Sequence, residues 1–175
     1  MTEQFEPQRI LETLNRHGVR YVLIGGLAAT FQGSPLVTTD VDVTPERARD
    51  NLARLSDALK ELDARIRTHA VPEGVPFDHT GESLGAADIW NLKTRVGDLD
   101  ITFTPAGTAG YSDLRREVRE IDVLGERVPV ASIADIVRSK EAAGRDKDLR
   151  SLPTLRRLLE AEEDERRRER RRRSD

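Results

Sequence analysis

"IGGLAATFQGSPLVTTDVDV", residues 24–43, decides how this chain is read. It opens on two glycines after an apolar run and closes on Asp40 and Asp42, two carboxylates one residue apart in a β-rich segment. Side chains at i and i+2 of a strand share a face, so the two acids converge while Val41 and Val43 turn to the core. Carboxylates ~7 Å apart on that face repel each other unless a cation lies between them. A hard divalent ion that takes one or two carboxylates plus substrate phosphates meets the need, with Mg2+ first and Mn2+ as the alternative. Acid pairs at this spacing arise readily by chance among 32 acids, so the setting carries the weight.

Upstream, Val19 to Ile24 is nearly all apolar, as expected of a strand covered on both faces, and it ends at Gly25-Gly26. A glycine turn there, followed by a short helix over Leu27–Phe31, presents backbone N–H groups without side-chain obstruction, which suits a triphosphate. A third acid, Asp100, sits in the alternating segment Leu99–Phe103, and the pattern places it beside the first pair. Asp98 reads as the second residue of a Gly97-Asp98 hairpin turn between strands 89–96 and 99–103. Together these are the parts of a metal-assisted phosphoryl or nucleotidyl transfer site.

The remaining periodicities frame that unit. A helix is expected over about 7–17, capped by Gly18, and a strand from Val37 to Val43. Thr44-Pro45 reads as the start of a helix whose stripe is Ala48, Leu52, Leu55, Leu59 and Leu62. Residues 71–85 read as loop, Tyr111–Val118 as a short helix, and 121–130 as a hairpin about Gly125-Glu126. Ser132 and Asp135 open a helix to about Ala143, and leucines 149–159 continue as helix with a break near Pro153.

With 175 residues the chain is expected to be one domain, or one with a small helical annex. It has no cysteine, which excludes disulfides, thiolate metal sites and a cysteine nucleophile. The expected place is the cytoplasm, with no membrane segment. The net charge of −3 is uneven, because residues 162–175 hold seven of the 29 basic groups. That arginine tract fits either an RNA backbone or a solvated, internally paired helix. His17, His69 and His79 lack metal-ligand spacing, and Trp90 reads as core.

The order Gly-Gly, short helix, Thr-x-Asp-x-Asp, then a later strand with one Asp resembles the nucleotidyltransferase superfamily that shares its fold with DNA polymerase beta. The segments "NLKTRVGDLDITFTPAG", "YSDLRREV" and "SIADIVRSKEAAGRDKDLRSLPTLRRLLE" resemble more closely the minimal nucleotidyltransferases related to the AbiEii and MenT toxins. The likeness covers about residues 8–160.

It implies an α+β nucleotidyltransferase fold, a mixed central sheet flanked by helices with a C-terminal helical segment. Residues 1–131 would form the core, 132–161 helices that complete the active site, and 162–175 a flexible charged tail. Asp40, Asp42 and Asp100 would hold two metal ions, Gly25 and Gly26 would cradle the triphosphate, and Lys140 would contact its phosphates. Arg145 and Asp148 match a segment that also serves the nucleotide. Many relatives carry Gly-Ser where this chain has Gly25-Gly26, so one hydroxyl contact to phosphate is missing. The resemblance implies NMP transfer from an NTP to a tRNA 3′ end, in a toxin neutralised by a cognate antitoxin. The alternatives are transfer to a protein hydroxyl, as by an AMPylating antitoxin, transfer to a small molecule, and a non-catalytic nucleotide- or partner-binding module.

Overall fold

A computed structural model describes residues 5–174. Residues 1–4 of the expected core and Asp175 of the expected tail lie outside the described residues. The N-terminal helix, α1 (Pro7–Arg16), takes Pro7 in its first turn and sinks Ile10, Leu11 and Leu14 completely into the core. Gly18, in the left-handed region at φ +66°, turns the chain into β1 (Tyr21–Ile24). A six-residue helix, α2 (Gly25–Thr30), follows at once, so the two glycines start the helix rather than precede it.

The acidic strand β2 spans Asp40–Pro45 and starts three residues later than its apolar run indicates. Thr44 and Pro45 continue this strand and do not start the next helix; that helix, α3 (Arg49–Glu61), begins after Ala48. After it come β3 (Arg65–Ile66), α4 (Gly81–Gly85), β4 (Ile89–Thr94) and β5 (Gly97–Thr102). The expected loop 71–85 therefore contains a short helix, set by a capping box between Thr80 and Ser83. The β4–β5 turn falls at Arg95-Val96, which puts Asp98 inside β5, opposite Lys93.

A helical turn, α5 (Tyr111–Leu114), runs into a 3-10 turn over Arg115–Glu117 and the hairpin β6 (Arg119–Val123) and β7 (Glu126–Val130). This hairpin turns one residue earlier than expected, at Leu124-Gly125, where both residues have positive φ, as a twisted two-residue turn requires. The chain ends in α6 (Ile133–Ala143) and the 29-residue α7 (Asp146–Ser174). Pro153 lies within α7 without interrupting it. Leu149, whose carbonyl loses its helical donor to the proline ring, is half exposed and open to water.

The seven strands form one sheet in the order β3-β4-β5-β2-β1-β7-β6. It is mixed: β2 runs parallel to β5 but antiparallel to β1, and β1 runs parallel to β7. The acidic strand is thus central. Val41 and Val43 are fully buried with Leu99 and Ile101 of β5, and that apolar layer frees the opposite face for the acids. No helix among the described residues is long and apolar enough to cross a membrane.

Candidate active site

Parallel register between β2 and β5 pairs Asp40 with Asp98 and Asp42 with Asp100, so four acids stand on one face of two adjacent central strands. Asp40, Asp42 and Asp100 each offer one carboxylate oxygen such that all three atoms lie within 4.8 Å of one another. Three oxygens that close, from acid side chains alone, could hold a metal ion, and oxygen donors of this kind suit a hard divalent cation. Burial, and then the charges of Asp40 and Asp100, push the Asp42 carboxyl up to about 7, with Lys147 and Lys140 opposing the rise. Asp100 is likewise raised by burial, against the pull of Arg67. Both shifts report negative charge packed into a half-dry site, which an added cation relieves.

Neighbouring elements fix each acid. Thr38 donates its hydroxyl to Asp40 Oδ1 at 2.9 Å. Asp42 packs over Gly25, where a Cβ would stand 2.8 Å from the Asp42 Cγ and 3.0 Å from its Cβ. Gly25 also has φ +70°, so both its backbone and its lack of a side chain are required. A Cβ on Gly26 would meet Thr38 Oγ1 at 2.9 Å. A side chain at either position would thus meet Asp42 or Thr38, so both positions are held to glycine, and both still line the cavity.

The opposite wall comes from α6 and α7. Ser132 caps α6 by accepting a hydrogen bond from the Asp135 N–H at 3.1 Å, and Gly144 ends it in the left-handed region at φ +61°. The reversal brings Asp148 of α7 back to Lys140 of α6. Lys140 donates to Asp148 Oδ1 at 3.0 Å, and Arg145 Nε donates to Oδ2 at 2.7 Å. Asp148 is 1% exposed. Burial works against its charge, but the hydrogen bonds from Arg145 and Lys140 prevail and hold its carboxyl below the usual range. Asp148 thus engages one cation with each of its two oxygens.

All eight residues singled out from the sequence, Gly25, Gly26, Asp40, Asp42, Asp100, Lys140, Arg145 and Asp148, line one cavity of about 810 Å3. The structure adds residues the sequence did not single out. Lys147 lines the same cavity and acts on Asp42, and Asn91 on β4 lies opposite Asp100. Asp98 accepts a hydrogen bond from Arg67 at 2.7 Å and is a strand residue, not the turn residue its Gly-Asp context indicates. Trp90 is only partly buried; its ring stacks on Phe77, centroids 5.6 Å apart.

No protein-family model matches the chain, and no curated protein matches it. Solved structures do. The lincosamide adenylyltransferase LnuA, solved with lincomycin, is 15% identical with a TM-score of 0.59 and covers 90% of this chain and 99% of its own. ANT(2″)-Ia, solved with adenylyl-2″-tobramycin, is 17% identical with a TM-score of 0.57, covering 91% and 90%. TM1012 of Thermotoga maritima, itself assigned as a nucleotidyltransferase, is 16% identical with a TM-score of 0.52, covering 91% and 98%. The chain has the α+β fold of these nucleotidyltransferases, mixed sheet and C-terminal helices included.

Proposed function

We propose that this protein is a metal-dependent nucleotidyltransferase that moves an NMP from an NTP to an acceptor hydroxyl. The observation that carries this reading is the convergence of Asp40, Asp42 and Asp100 on one wall of a cavity whose other wall presents Lys140. Divalent ions, Mg2+ or Mn2+ and two in number, would be held by the three carboxylates and would neutralise the triphosphate and acidify the attacking hydroxyl. Asp100 takes the hydroxyl proton as the acceptor oxygen bonds to the α-phosphorus and the bond to the β-phosphate bridging oxygen breaks, releasing pyrophosphate. Lys140 meets the charge of the departing phosphates, and Asp148 keeps that ammonium and Arg145 in place. Gly25 and Gly26 place backbone donors beside the triphosphate while leaving room for Asp42. In this reading residues 1–131 form the catalytic core and 132–161 complete its site.

For the acceptor, our first reading is a tRNA 3′ end, with the protein acting in the cytoplasm as a toxin restrained by a cognate antitoxin. Support comes from the resemblance of residues 8–160 to toxin-type nucleotidyltransferases and from the far end of α7. There, all seven arginines of 166–173 are exposed, a surface suited to a phosphate backbone. The second reading is a small hydroxylated molecule. It is favoured by the likeness to two adenylyltransferases solved with lincomycin and with adenylyl-2″-tobramycin, and by a cavity of ordinary small-ligand size.

The deciding experiment supplies each α-labelled NTP with Mg2+ and, in separate reactions, total tRNA, cell protein, and a panel of aminoglycosides and lincosamides. Label on the tRNA 3′ end supports the first reading, and label on a drug replaces it with the second. Label on a protein assigns an AMPylating role. Nucleotide bound with label moved nowhere reduces the chain to a binding module.

A further inference from the structure

Arg67 stands just beyond the two-residue strand β3, and nothing in its sequence context marks it. Its backbone N–H donates to the Asn91 carbonyl on β4 at 2.9 Å, which fixes the root of the side chain across β4 from Asp100. Its guanidinium then spans two acids of β5. Nη1 donates to Asp98 Oδ2 at 2.7 Å, and Nη2 donates to both Asp100 oxygens, at 2.8 and 2.9 Å. Asp100 lines the cavity, whereas Arg67 and Asp98 do not. The fork therefore grips Asp100 from outside the space where substrate would sit.

We infer that Arg67 and Asp98 form a clamp that sets the rotamer of Asp100 against Asp40 and Asp42, making Arg67 a positioning residue of the metal site. The inference rests on the proposed reading of those three carboxylates as metal-holding. An acid side chain on a strand face has two free torsions, and fixing them before the ion arrives removes an ordering cost from binding. The planar fork is essential, because a lysine ammonium is a single point and does not reproduce paired contacts to two carboxylates. The rival account is that Arg67 is only a nearby positive charge, which would repel a divalent ion.

The two accounts predict opposite patterns. Mn2+ binding to the full chain, stripped of metal, is measured by electron paramagnetic resonance for wild type, Arg67→Gln, Asp98→Asn and Arg67→Lys, with circular dichroism confirming each fold. The clamp predicts that all three variants bind Mn2+ about tenfold more weakly, the usual effect of losing a residue that orients a ligand. Tighter binding by Arg67→Gln with weaker binding by Asp98→Asn, or unchanged binding by Arg67→Lys, overturns it. Wild-type protein that binds no Mn2+ removes the metal site itself, a failure seen before any substitution is compared.

Discussion

Asp42 occupies the space that any side chain on Gly25 would need, with a Cβ there standing 2.8 Å from the Asp42 Cγ. The relationship follows from register: Ile24 pairs with Asp42, so the first residue of α2 lies directly beneath the central acid. Gly25→Ala therefore carries two penalties, displacement of Asp42 and a left-handed backbone worth about 1–2 kcal/mol for a residue with a Cβ. The expected variant has a lower melting temperature and greatly reduced Mn2+ affinity. Gly25→Ala with wild-type affinity would mean that Asp42 is not a ligand.

The pH behaviour of the metal-free protein tests the crowding of the acids. Asp42 titrates near 7 in the folded chain and near 3.8 when unfolded, so between those values the folded state holds the extra proton. The contribution of Asp42 to stability accordingly falls as pH rises from about 4 to about 7 and is level above that. Each tenfold change in proton affinity is worth about 1.4 kcal/mol, giving a total effect on the order of 4 kcal/mol. In thermal melts with EDTA, Asp42→Asn is expected to exceed wild type most at pH 8, with the gap narrowing towards pH 5. A pH-independent gap would show that Asp42 ionises normally.

Lys140 and Asp148 separate binding from scaffolding. Lys140→Met is expected to weaken nucleotide affinity while leaving the fold intact, because its side chain is partly exposed and its removal leaves Arg145 on Asp148. Asp148→Ala removes a buried acid from two cations and is expected to lower stability by about 3 kcal/mol as well as nucleotide affinity. Calorimetric NTP titrations beside denaturant melts distinguish the two. Equal destabilisation by both would assign Lys140 a structural role.

At the other end of α7, Glu162 accepts two hydrogen bonds from Arg119, at 2.7 and 2.8 Å, and residues 163–173 beyond it are exposed. If this cationic stretch tracks RNA, deleting residues 166–175 should weaken tRNA binding and flatten its dependence on salt, since fewer phosphates are neutralised. Fluorescence anisotropy between 50 and 300 mM salt, roughly the range where such effects are large, provides the comparison. An unchanged slope assigns the tract to solvent.

What the sequence revealed and what it concealed divide along physical lines. Asp40, Asp42 and Asp100 stood out because strand alternation is local, and an acid between buried valines, leucines or isoleucines is visible without any tertiary knowledge. The reason for Gly25 was hidden, since its close approach to Asp42 depends on β1–β2 register. Asp98 reads as a turn residue because Gly-Asp is a turn-forming dipeptide, and what overrides that local preference is a full ladder with β4 and an ion pair to a residue 31 positions away. Arg67 carried no signal, as a two-residue strand has no period to read. Lys140 and Asp148 are marked only by resemblance to known sequences, and their pairing depends on the reversal at Gly144.

The most direct test of nucleotidyl transfer at the three-carboxylate site is label transfer from α-labelled NTP by wild type and by Asp42→Asn, with Mg2+ and total tRNA. The expected result is labelled tRNA with wild type and none with an Asp42→Asn protein that is folded and, at pH 8 without metal, more heat-stable. Transfer by Asp42→Asn at the wild-type rate would contradict it.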